Sequence, residues 1–269
     1  MTIQSTLYLS TFFALVAAST YAYIGWWLSK RAISSAESRL AWQAFTIWWF
    51  ALAITTLLAG FQNLLGALGL TDLALFITAG YINLLASCIA LWGLVYYLVY
   101  LFTGNSRSLL PLSIFYVIYY ILLVYYITAS MPNAVEIGRW NTSLAYRNAL
   151  TGPFFVVLVV FLLLPQLIGS LAYFTLYFKV SETTQKYRVL LVSWSILFWF
   201  ITPLIALAGG VAEQDWWQLA SRLIGLGAAV TILMAYLPPR WLKQRYGIIS
   251  LSDENQETNT PLPVRNAAN

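Results

Sequence analysis

Arg222 is the residue with the most chemical consequence in this chain. It lies in the apolar stretch that opens at Trp216, less than two helical turns in, which at 1.5 Å per residue is about 9 Å along the axis. A guanidinium at that depth in a hydrophobic segment is costly and faces either a partner or a wet cavity. One reading makes it an anion- or carboxylate-binding group, because arginine stays charged and holds such a ligand with two parallel hydrogen bonds. The other has it snorkel to headgroups or pair with Asp72, Glu213 or Asp215. Neutral polar residues fall in the same membrane half: Gln62 and Asn63 in the second apolar segment, Asn83 a third of the way down the third, Thr202 beside Pro203 in the sixth, and Gln218 one turn above Arg222. Arg222, Gln218, Asn83, Gln62, Asn63 and Thr202 are therefore the candidate ligand pocket. Taken singly, each neutral residue is better read as serving interhelical hydrogen bonding, worth about 0.6 kcal/mol per contact, and it is the set that suggests a cavity.

Other chemistry has few carriers. The chain has no histidine, which removes the usual zinc and haem ligand and the near-neutral proton switch. The one cysteine, Cys88, sits among apolar residues and has no partner for an intrachain disulfide. The interiors of the apolar segments contain no Asp, Glu, Lys or His, and neither a Gly-x-Ser-x-Gly nor a His-Glu-x-x-His motif occurs. Enzyme activity, a bound cofactor or metal, and proton- or sodium-coupled transport are not expected on these grounds.

Aromatic residues make up 17% of the chain, and Tyr116, Tyr119 and Tyr120 fall near the middle of one segment. A phenol at that depth seeks a hydrogen-bond partner, so part of this stripe should face other helices. Tyr100 and Tyr126 read as interface residues. With Trp48, Trp49, Trp194 and Trp199, the tyrosines serve packing or line a pocket for a lipid, quinone or polyene. Pro165-Gln166 is similar to the proline-glutamine pair of small PQ-loop transporters, but that family's second pair is absent. Its simpler use is a kink, with Gln166 satisfying the freed backbone groups.

These residues need a scaffold, and composition identifies it. Of the 269 residues 61% are hydrophobic and 9% charged, against about 45–50% and about 25% in soluble domains. Seven apolar segments, near 6–29, 41–68, 73–103, 109–130, 150–178, 189–209 and 216–237, are long enough to span a bilayer as helices. Their uninterrupted apolar character disfavours a barrel. An all-α seven-helix transmembrane domain over 1–247 is expected, followed by a disordered polar tail over 248–269. An outer loop from Ser130 to Ala149 has room for a small lid or an interfacial helix.

Lys30, Arg31, Arg39, Arg107, Lys179, Lys186, Arg188, Arg240, Lys243 and Arg245 fall on one side of this arrangement, and with Arg265 they make 11 of the 14 basic residues. The positive-inside rule then places the C-terminus in the cytoplasm and the N-terminus outside. The net charge of +5 follows from that topology and from attraction to anionic lipid, with no nucleic-acid partner needed. Met1 to Ser10 carries no Lys or Arg and the pair Lys30-Arg31 follows the apolar run, so the first segment reads as an N-out anchor and not a cleaved leader. The tandem prolines Pro238-Pro239 should end the last helix. Beyond them Arg240, Trp241, Lys243 and Arg245 form the candidate cytoplasmic coupling surface.

Seven helices with the N-terminus outside resemble rhodopsins and G-protein-coupled receptors in topology, but the residues behind those activities are missing. The seventh helix has no lysine for a retinal Schiff base and ends Tyr236-Leu237-Pro238-Pro239, the third closes on Phe102-Thr103-Gly104-Asn105 without an Asp-Arg-Tyr triplet, and the sixth carries Trp199-Phe200-Ile201-Thr202-Pro203. Four stretches carry a closer likeness: Ala41-Trp42-Gln43-Ala44-Phe45 through Gly66, Gly93-Leu94-Val95-Tyr96-Tyr97, Gln185-Lys186-Tyr187-Arg188, and Tyr236 through Trp241. By these the chain resembles uncharacterised prokaryotic seven-helix membrane proteins, some of which look like sensor modules of signalling proteins. That resemblance implies a multi-pass protein of a prokaryotic plasma membrane, receptor-like, binding a small or lipidic ligand and acting through a partner protein. A transporter or facilitator for a neutral or anionic solute, or a structural subunit of a membrane complex, are the competing expectations.

Overall fold

The computed structural model describes residues 3–30, 36–70, 73–128, 153–212 and 216–248. Among them the chain is helical, with no strand. The long elements are α1 (Ile3–Ser29), α2 (Ala36–Ala67), α3 (Leu73–Thr103), α4 (Leu109–Thr128), α5 (Pro153–Lys179), α6 (Thr183–Ala212) and α7 (Trp216–Tyr236), with a short α8 (Arg240–Tyr246). Seven of them are long and apolar enough to cross a membrane. Such segments become helices because a lipid environment offers backbone groups no partner outside the segment. The expected segments match them closely. The main differences are at α2 and α6, which start earlier, at Ala36 and Thr183. Apolar runs mark the lipid-facing stretch, whereas charged residues such as Arg39, Lys186 and Arg188 prolong the same helices past it. The Ser130–Ala149 loop, the tail beyond 248, and Asp72, Glu213 and Asp215 lie outside the described residues.

Two apolar clusters organise the bundle. The larger joins α1, α2, α3, α6 and α7 through Tyr21, Phe45, Trp49, Leu94, Ile196 and Ile232. The smaller joins α3, α4 and α5 through Leu84, Leu91, Tyr116, Tyr119, Leu123 and Leu158. Tyr116 and Tyr119 are therefore buried while Tyr125 faces outward, so the tyrosine stripe does turn its central part inward. Tyr100 lies 3.1 Å from the Ser38 hydroxyl, and the Tyr126 ring stacks on Phe154 at 4.9 Å. Small residues set the closest approaches, as expected where lipid supplies no hydrophobic drive between helices. At Gly93 a Cβ would sit 2.6 Å from the Ala44 carbonyl oxygen, and at Gly60 one would sit 2.9 Å from the Ala14 Cβ.

Two helices have interrupted hydrogen-bond ladders. In α5 the segment Val159–Leu163 is a π-turn, and the Leu164 N–H donates to the Val159 carbonyl. Pro165 accounts for it: proline has no N–H to donate and its ring crowds the carbonyl four residues back, so a wider turn relieves the clash. A π-turn is the form that the interruption beside Pro165 takes. In α6 Pro203 lies inside the helix. Below the bundle, α7 stops at Tyr236 and Pro239 caps α8, which ends on Gly247 in the left-handed region at φ 62°. Leu242 and Ile248 are buried against the bundle, and Trp241 is exposed.

Candidate functional site

A cavity of about 180 Å³ lies where the two apolar clusters meet, lined by residues of α2 through α7. On α2 the lining positions Trp48, Leu52, Thr55 and Ala59 recur at helical spacing, and on α3 Asn83, Ser87, Ala90 and Leu94 do the same. Tyr119 and Leu123 come from α4, Leu162 and Gln166 from α5, Ile196, Trp199 and Thr202 from α6, and Ser221 and Arg222 from α7. Chain direction orders these groups by depth. Arg222, Ser221 and Thr202 lie toward the end where α6 leads into α7, whereas Trp48, Leu94 and Ile196 lie deeper.

The walls are fixed by hydrogen bonds that leave particular atoms free. Ser221 donates to the Thr202 carbonyl at 3.2 Å, and Thr202 donates to the Phe198 carbonyl at 2.8 Å. The first of these bonds braces α7 against α6 beside Pro203, and the second lies within α6. Ser87 donates to the Asn83 carbonyl at 2.9 Å and lies 3.4 Å from the Thr55 hydroxyl. The Tyr119 ring stacks at 5.0 Å on Phe161, a residue of the π-turn. Four buried atoms of lining residues have no hydrogen-bond partner: Asn83 Oδ1, Gln166 Oε1, Trp199 Nε1 and Arg222 Nε. Buried polar atoms are satisfied in the great majority of cases, and an exception needs an explanation such as an unseen water or ligand.

Of the six pocket candidates, Arg222, Asn83 and Thr202 are brought together on this cavity. The side chain of Gln218 lies outside what is described. Gln62 and Asn63 do not line it. They continue the Trp48–Ala59 stripe one turn further, where Gln62 donates to the Phe76 carbonyl at 3.4 Å and Asn63 donates to the Ser10 hydroxyl at 2.9 Å. There they tie α2 to α3 and α1, the interhelical use available to any membrane amide. Gln166, Ser221, Thr55 and Ser87 are lining residues that the sequence did not single out as a site. Gln166 lines the cavity, and its Oε1 is buried without a hydrogen-bond partner. The signal for it was Pro165, whose π-turn resets the rotation of everything that follows on α5.

The second candidate set lies at the other end of α7, about 30 Å from its start at 1.5 Å per residue. Arg240 and Trp241 are exposed at the head of α8, and Lys243 and Arg245 follow within one turn. Tyr187 donates to the Met234 carbonyl at 3.0 Å, joining α6 to α7 just above that segment. No group of three or more metal-ligating side chains occurs among the described residues. The cavity offers one cation and several neutral donors and acceptors on apolar walls, with no carboxylate or thiol among its lining residues. Such a surface can bind and orient a molecule. The chain matches no protein-family model, no curated protein and no solved structure.

Proposed function

We propose that this multi-pass membrane protein is a receptor-like sensor module that takes a small ligand between its helices and acts through a partner protein at α8. The observation that carries the reading is the cavity at the meeting of the two clusters, lined by one cation, Arg222, and by the polar side chains of Asn83, Gln166 and Thr202. A cation among apolar walls at membrane depth calls for a compensating partner. The π-turn of α5 and the proline of α6 border the same space, and interrupted ladders of this kind recur at functional positions in membrane helices. The likeness to prokaryotic seven-helix proteins, and the gathering of basic residues on the side of α8, support a plasma-membrane protein with the N-terminus outside.

Photo-crosslinkers at Lys243 in native membranes, with and without ligand, test the reading. A signalling protein whose capture changes with ligand is the expected result. Arg222-dependent flux of a solute in proteoliposomes, with no such capture, would replace it with a facilitator.

A further inference from the structure

We infer that the cavity selects a small monocarboxylate with an apolar, ring-sized body, its carboxylate on Arg222 and its body against Trp48, Leu91 and Ile196. The inference rests on the cavity being a ligand site, and it adds the charge and size of what enters. Size comes first. A cavity of about 180 Å³ is close to the apolar cavity of about 150 Å³ that accepts benzene. A body of one ring therefore fits.

Charge follows from the lining. Arg222 is its one cation, and the Nε is buried without a partner. A neutral ligand would leave that charge uncompensated at membrane depth, which is the costly condition. A phosphate monoester carries about −1.5 to −2 at pH 7 and would leave about one negative charge unmatched among neutral groups. A carboxylate carries one charge, matches the planar guanidinium fork, and leaves no excess. Asn83 is only 8% exposed and Gln166 only 6%, each with its amide oxygen unpaired. Those oxygens accept and call for an N–H or O–H donor on the ligand body, whereas only the amide nitrogens can donate to the carboxylate.

Equilibrium dialysis of the full chain in lipid nanodiscs, with empty nanodiscs as blank, tests this with phenylacetate, 2-phenylethanol and phenyl phosphate at pH 7. The wild-type chain should bind phenylacetate at least tenfold more tightly than either of the others. Arg222→Gln should remove the preference for the acid while leaving the weak binding of the alcohol, and Arg222→Lys should keep part of it. Should the alcohol or the phosphate bind as tightly as the acid to the wild-type chain, the ligand class is wrong while the cavity stands as a site. Should none of the three bind, the ligand site itself falls along with the class. Because the wild-type ranking alone decides between these outcomes, a variant that fails to fold does not blunt the test.

Discussion

Tyr21 of α1 donates a hydrogen bond from its hydroxyl to the carbonyl oxygen of Gly225 at 2.8 Å. Its ring lies 5.9 Å from Trp49 and 5.7 Å from Trp199, and the side chain is fully buried. The helix that contributes nothing to the cavity lining thus holds the helix that carries Arg222, less than one turn beyond it. Trp199, against which Tyr21 packs, is itself a cavity wall.

Tyr21→Phe isolates that bond, since the ring and its contacts remain. The Gly225 carbonyl keeps its place in the helical ladder, so no acceptor is orphaned, and the cost should be about 0.6 kcal/mol, near the average for interhelical hydrogen bonds in a membrane protein. Thermal unfolding in detergent should show a shift of only a few degrees. Phenylacetate binding should weaken by no more than a few-fold. A drop as large as that of Tyr21→Ala would mean that the hydroxyl and not the ring dominates this contact.

Gly93 and Gly225 make a contrasting pair. A methyl at Gly93 meets the Ala44 carbonyl at 2.6 Å and the Trp48 backbone nitrogen at 3.2 Å, so α2 and α3 must separate. Overpacking of this kind costs about 1–3 kcal/mol. Nothing lies within 4 Å of the same methyl at Gly225, and alanine is favoured over glycine in a helix interior by about 1 kcal/mol. Gly93→Ala should lower the unfolding temperature and Gly225→Ala should hold or raise it. Equal effects from the two would contradict the packing described for α2 and α3.

Pro165→Ala restores the missing N–H and removes the clash behind the π-turn. The α5 ladder should close to regular α-helix and rotate Gln166 away from Asn83 and Arg222. Helix stability should be unchanged or increased, while phenylacetate binding falls about as far as in Gln166→Leu. Binding untouched by Pro165→Ala, but lost in Gln166→Leu, would show that the wide turn does not set the direction of that amide.

Much of the scaffold is legible in the residues themselves. Apolar runs longer than a bilayer leave helices as the one arrangement that satisfies their backbones, and the tandem prolines after Tyr236 stop α7 where expected. Arg222, Asn83 and Thr202 also converge as their depths suggest. Depth alone, however, does not say which way a side chain turns. Gln62 and Asn63 share the depth range and the stripe of the lining residues, yet their hydrogen bonds go to α3 and α1 because the cavity ends one turn earlier. Gln166 was hidden for the opposite reason, since a π-turn breaks the 3.6-residue period by which facing residues are read. Ser221 and Ser87 look like ordinary small polar residues of a membrane helix until their neighbours across the bundle are known.

Sidedness is the remaining expectation with a direct consequence for the cavity. Basic residues concentrate on the side of α8, which predicts that Ser106, after α3, faces the cytoplasm and that Asn141, between α4 and α5, faces outside. Cys88 is buried among Leu84, Leu91 and Tyr116, so Cys88→Ala should supply a quiet background for single cysteines. In right-side-out vesicles a membrane-impermeant maleimide should label Asn141→Cys at once and Ser106→Cys only after permeabilisation. That pattern puts the Arg222 end of the cavity about 9 Å below the outer face by helical rise, within reach of a water-borne carboxylate, and leaves Lys243 in the cytoplasm beside a partner. The reverse pattern would bring the Arg222 end to the cytoplasmic face and α8 outside. The protein would then answer to an internal metabolite, and the signalling partner proposed at Lys243 would have to be abandoned.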